Sequence, residues 1–206
     1  MDNQEQDKLI IEVIPVIEVD IKSYDLKSKS KEGLFASKYL ELGKTGKFLE
    51  SPDGWFFPLD NLLKDIQSYA NFLLLENSKD EEFEICGGFQ ILIDGELIPS
   101  VSIGSSFLFA MNIANWVVNQ EKDKSQIFNI DNDKTLSFGF EKNEIAISFF
   151  QGKKREIKIP SIEFKEKCKY AQKLTKDFAE AITPLIVNHG NKKITPEIVD
   201  YEFGLI

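Results

Sequence analysis

The sequence predicts an α+β fold: an antiparallel or mixed β-sheet meander packed by two to three α-helices. Three observations carry this. Segments of strict apolar–polar alternation are closed by hairpin-type turns, as in Phe83 to Ile98 and Thr135 to Ile159. Other segments repeat apolar residues at three- and four-residue steps, as in Leu59 to Leu74 and Phe164 to Ile182. The two kinds are interspersed, and no solenoid-length repeat is present.

Leu9 to Ile21 (LIIEVIPVIEVDI) is rich in Ile and Val and reads as a strand. Pro15 cannot donate to a ladder, so it marks an edge, a bend or a bulge. Lys22 to Lys31 is polar and reads as an exposed loop. Ser51-Pro52-Asp53-Gly54 is a turn signal ahead of Trp55-Phe56-Phe57. An amphipathic helix follows, with Asp60 as its cap and its end near Asn77.

In Phe83 to Ile98, Asp94-Gly95 is the expected hairpin turn, and Gly87-Gly88 implies a bulge or a close backbone approach. Ser105 or Ser106 can cap a helix reaching Gln120 whose residues are apolar nearly all round, so it should be buried on most sides. Glu121 to Ser125 reads as a charged linker. Three strands then turn at Glu141-Lys142-Asn143 and Gln151-Gly152-Lys153. A long helix begins near Phe164, and Pro184 should end or kink it. His189-Gly190 looks like its cap region. Thr195-Pro196-Glu197 can open a last helical turn.

With 206 residues, 42% of them hydrophobic and 17 of them Phe, the chain can bury a sizeable core as one domain over residues 1–206. Met1 to Lys8 is polar and is expected to be disordered. No charged and apolar leader pattern is evident, and no apolar run approaches a bilayer span, so the cytoplasm is the expected location and membrane insertion is not expected. Cys86 and Cys168 lack ligand or framework spacing and are expected to be reduced and buried.

The net charge is −9. Residues 1–152 hold 14 basic and 26 acidic side chains, whereas residues 153–176 hold 9 basic and 3 acidic. An acidic field repels phosphate, so no nucleic-acid partner is expected. Within the basic stretch the lysines do not share one tight helical face, and Tyr170 is the only interleaved aromatic.

No motif carries catalysis or a cofactor. Asn129-Ile130-Asp131-Asn132-Asp133 begins like a calcium loop, but Lys134 stands where glycine is needed and Phe140 where a bidentate Glu is needed. The one His, His189, cannot build a zinc site with two unspaced Cys. Ser100, Ser102, Ser105 and Ser106 lie in neither a nucleophile elbow nor a phosphate loop.

Two surface patches remain as candidate protein-binding residues. The first is the acidic run containing Asp80, Glu81, Glu82 and Glu84, which steers toward a basic partner or is simply solvated. The second is Asp53, Trp55 and Phe56, where the aromatics either anchor an interface or belong to the core.

The order of strand, Ser-Pro-Asp-Gly-Trp turn and amphipathic helix, then Cys86-Gly87-Gly88-Phe89-Gln90-Ile91-Leu92-Ile93 running into Pro99, resembles uncharacterised bacterial α+β proteins. Some of these are similar to immunity proteins encoded beside secreted polymorphic toxins. The resemblance covers about half the chain and rests on structural motifs, so it transfers no active residue. It implies a non-enzymatic protein that binds a toxin domain, which would be basic if it handles nucleic acid. An enzyme with dispersed carboxylates, or an oligomeric interaction module, are the alternatives, and oligomeric state is open.

Overall fold

The Ile- and Val-rich stretch near the N-terminus forms the strand around which the first sheet assembles. In the computed structural model, which describes residues 9–19, 49–50, 55–76, 83–98, 107–120, 125–130, 134–151, 153–187, 189 and 194–206, this strand is β1 (Ile11–Val19). It lies at the centre of a five-stranded sheet with β2 (Leu49–Glu50), β3 (Trp55–Pro58), β4 (Gly87–Ile93) and β5 (Glu96–Leu97), in the order β2-β3-β1-β4-β5. A second sheet has four strands in sequence order: β6 (Ser125–Ile130), β7 (Lys134–Glu141), β8 (Glu144–Gln151) and β9 (Lys153–Pro160). Every pairing is antiparallel. The α+β class therefore holds, but only the second sheet is a simple meander.

Among the described residues five helices, not two or three, accompany the sheets: α1 (Leu59–Leu63), α2 (Ile66–Glu76), α3 (Phe107–Asn119), α4 (Ser161–Ile186) and α5 (Pro196–Glu202). The helix expected from Asp60 to Asn77 is broken. Tyr69 donates its backbone N–H to the Asp65 carbonyl, and the Ser68 hydroxyl bonds the Asp65 carboxylate at 2.7 Å, so Asp65 starts a second helix. Asp60 sits inside the first turn of α1, where a carboxylate favours the dipole, and does not act as the cap.

Pro184 likewise does not end α4, which runs to Ile186. A proline near the end of a helix forfeits one hydrogen bond there without breaking a long remaining stretch. The Asp94-Gly95 turn is as expected, both residues having positive φ (51° and 78°). Thr195 caps α5 by accepting from the Ile198 N–H. His189 lies just past α4, its Nδ1 3.1 Å from the Val187 carbonyl.

The sequence pattern predicts no strand at β6, which lies between the charged linker and the calcium-like stretch. Its pairing explains why: Gln126 lies opposite inward-facing Phe138, and Ile127 opposite outward Ser137. Polar and apolar residues thus occupy the wrong faces, and Ile127 is 64% exposed. The loop of residues 22–31, the turn of residues 51–54 and the serines of residues 100–106 lie outside the described residues.

One buried cluster spans both sheets and the helices. Phe164, Cys168, Ala171, Thr175, Phe178 and Ile182 form the inner face of α4, which packs on α2, α3, β1, β8 and β9. Its N-terminal half meets the second sheet through Phe164 and Phe138, with ring centroids 6.1 Å apart. The C-terminal half meets α2 and α5 through Phe178, which touches Tyr69 and Phe203. As expected, α3 is buried on most sides, and Asn112, Asn115 and Asn119 form its one exposed stripe.

The sheet's opposite face is also covered, since Val16, Phe56 and Leu92 are buried. Gln90, on that face, is fully buried, and its side-chain amide has no hydrogen-bond partner among the described residues. An unsatisfied buried amide costs about 1–3 kcal/mol. Gln90→Met keeps the volume and removes the polar atoms, so chemical denaturation should show a gain of about 1 kcal/mol. A loss of stability would mean that the amide has a partner.

Neither cysteine is in a disulfide. Cys168 is buried as expected, and burial pushes its thiol up to about 12 from the ordinary 9.0. Cys86 is exposed, contrary to expectation, because it sits at the start of β4 beside exposed Glu84. In the native chain a maleimide at mildly alkaline pH should label Cys86 alone, and Cys168 only after unfolding. Equal labelling rates would contradict the burial. Because the folded-state value of Cys168 is raised, its contribution is complete below 9 and drains away as pH climbs toward 12.

Candidate protein interface

The two prolines flanking the β1–β3 pair shape the site. β3 pairs with β1 only from Val16 to Val19, because the chain turns into α1 immediately after Pro58. β4 pairs with β1 over its other side from Ile11 to Ile17. Glu18 donates to the Cys86 carbonyl and the Ile10 carbonyl accepts from Asp94, so even-numbered residues of β1 direct their peptide groups toward β4. Odd-numbered residues must face the β3 side. At Ile17 and Val19 they meet β3. At Val13, among the described residues, no strand lies beside them and no backbone hydrogen bond is made on that side.

Pro15 therefore fits both descriptions. The strand is central, yet among the described residues the half that contains Pro15 has no partner on the β3 side, and the nitrogen without a proton points to that side.

A half-open groove of about 460 Å³ lies along this edge. Its floor is β1 from Glu12 to Pro15, one wall is Pro58, Asp60 and Asn61 at the start of α1, and the other is Lys167, Tyr170 and Leu174 of α4. Tyr170 is 60% exposed. The walls thus combine an aromatic ring, aliphatic carbon and a few charged or amide groups, over a floor that offers peptide hydrogen-bonding groups. Sequence reasoning singled out Pro15 and Tyr170 for other reasons. It could not bring them together, because α4 and β1 are about 150 residues apart in the chain.

Of the residues expected to bind, Trp55, Phe56 and Glu84 are described. Phe56 is 4% exposed, so of its two readings the core one describes it. Trp55 pairs in β3 with Glu50 and Val19. Glu84 is exposed beside Cys86. Asp53, Asp80, Glu81 and Glu82 lie outside the described residues.

The basic segment is partly neutralised by its own surroundings. Lys158 pairs with Glu141 at 2.7 Å and holds that carboxyl below its ordinary value, chiefly by the hydrogen bond and then by charge. Lys173 and Lys176 pair along α4 with Asp177 and Glu180. Lys165 is turned inward, donating to the Gln120 carbonyl and lying 5.0 Å from the Phe140 ring centre. These pairs suit a solvated charged face.

Comparison with known protein families, curated proteins and solved structures finds no match for this chain. Among the described residues no group of three or more metal-ligating side chains gathers, and no helix is long and apolar enough to cross a membrane. Of the calcium-loop pattern, Asp131, Asn132 and Asp133 fall outside those residues, while Lys134 and Phe140 lie in β7. What the groove can do chemically follows from its floor and walls: it can bond a chain that brings its own amides and carbonyls.

Proposed function

We propose that this chain is a binding protein that acts by covering a protein partner, in the manner of an immunity protein that neutralises a toxin. The observation that carries the reading is the stretch of β1 that, among the described residues, has no strand on one side and runs along a half-open groove, since such strand backbone is a surface other chains bind. The net charge of −9 adds to it, because an acidic molecule captures a basic partner faster. The resemblance to toxin-associated immunity proteins names the kind of partner.

The test is co-expression with the product of the adjacent gene. Stable co-purification, together with relief of that product's toxicity, supports the reading. Toxicity that persists at full expression of this chain, with no complex formed by any neighbouring product, would end it.

A second reading has one observation in its favour. Glu12 and Asp60 line the same groove, as an acid/base pair in a carboxylate enzyme would. Turnover of a small substrate that is abolished by Asp60→Asn would favour that reading over binding.

A further inference from the structure

We propose that β6 is a self-association surface, at which two copies of this chain join their four-stranded sheets edge to edge through an antiparallel β6–β6 pair. This surface is separate from the groove, and its existence does not depend on the binding reading above.

Three observations on β6 carry it. The strand stands at one end of the second sheet, and Ser125, Gln126 and Ile127, which alternate between the two faces, are all exposed. Exposure on both faces at once marks an uncovered flank, because a neighbouring strand brings its own side chains alongside. The register is the second observation. Apolar residues ordinarily turn a strand toward its core, yet Ile127 lies opposite outward Ser137 and is 64% exposed. It has no apolar cover within its own sheet. The third is charge. β6 reads SQIFNI and carries none, whereas β9 at the other end reads KKREIKIP, with four basic residues and one acidic. Lysines along an edge discourage strand pairing, so β9 is guarded and β6 is not.

The lack of charge decides the occupant. Two identical strands that pair antiparallel are related by a two-fold axis perpendicular to the sheet. The outer faces of the two sheets then run together, and each residue lies opposite another of the same short sequence. A strand like β9 would bring its own like charges together near that axis. β6 sets only neutral residues against one another, whatever the register. The axis also puts both Ile127 side chains on one face, where they bury each other. Nothing on β6 would select a charged foreign strand, since it offers no charge to complement.

Six residues make a small interface, so the dimer is weak, with a Kd of about 100 μM. Each copy carries a net charge of −9, so added salt should strengthen the pair by screening that repulsion.

The experiment is sedimentation equilibrium of the full chain from about 1 μM to about 1 mM. The mean mass should climb from that of one chain toward that of two, and at lower concentration when salt is raised. Ile127→Lys and Ile127→Glu, at an exposed position, should each weaken association about tenfold with unchanged circular dichroism. An equimolar mixture of the two variants should recover it. Those β6 amides that exchange freely in dilute protein should slow about tenfold when about nine tenths of the chains are paired.

A mass that stays at one chain up to about 1 mM would overturn the inference. So would a dimer that both Ile127 variants leave intact, or one that forms without slowing exchange in β6. Growth past two chains would overturn it as well, because a two-fold pair uses up the edge it is built on.

Discussion

Gly87→Ala is expected to destabilise the fold by about 3 kcal/mol, a drop in Tm of about 6–12 °C for a chain of this size. Gly87 is the first residue of β4, opposite Ile17, and its Cα faces the start of α3. A Cβ there would lie 2.3 Å from Cε2 of the Phe107 ring and 2.6 Å from the Val16 carbonyl oxygen. The ring can turn, but the carbonyl belongs to the neighbouring strand, where Val16 pairs with Gly88. Relief therefore requires β1 and β4 to separate locally, at the Ile17–Gly87 end of their ladder. The two contacts can be told apart. Phe107→Leu in the Gly87→Ala background should recover part of the loss and never all of it, because the carbonyl stays. A double-mutant cycle measures that coupling. A Gly87→Ala chain within about 0.5 kcal/mol of the parent would show that the sheet accommodates a methyl group there.

The same glycine shows what was legible from residues alone. Gly87-Gly88 within an alternating strand announces close backbone approach, and the approach is there. The hairpin at Asp94-Gly95, the strands β7 to β9 and the helix α4 were legible because each element is half-buried and its residue pattern repeats the period of its backbone. β6 was not, because its register places Ile127 outward and Gln126 on the inner side. The break between α1 and α2 was hidden for another reason: apolar spacing continues through Lys64 and Asp65, so only the Asp65–Ser68 bond marks the restart. The groove was the least legible feature. It exists because β3 stops at Pro58 while β1 continues, and no local pattern records where one strand outlasts its neighbour. The residues singled out as an acidic and aromatic surface were chosen by local charge and turn chemistry, which say nothing about which side of a sheet is left open.

Phe203→Ala is expected to cost about 4 kcal/mol, the larger of the two effects, and to lower Tm by about 8–16 °C. A helix of seven residues has little stability of its own, so α5 persists through what it packs against. Phe203 is fully buried, its ring centroid 5.0 Å from that of Phe107 and 5.7 Å from that of Phe178. Through these rings the C-terminal helix joins α3 to α4. A second tie reaches the first sheet, where the Ile85 N–H donates to the Glu202 carboxylate at 2.9 Å. Loss of the Phe203 ring should therefore do more than leave a cavity. It should let α5 detach, and amide exchange at Ile85 should rise with the global opening rate left behind. Thr195→Ala, which removes only the cap, should cost about 1 kcal/mol and leave Ile85 protected. Gly204→Ala should lie between them: its φ of 64° is strained for alanine, and the new Cβ would stand 2.6 Å from Leu108 Cα. If Phe203→Ala costs no more than Thr195→Ala, α5 is an appendage and the three-ring contact does not hold the helices together. If it costs about 4 kcal/mol and frees Ile85, the end of the chain is what fastens α3 and α4 to the strand that supports the groove.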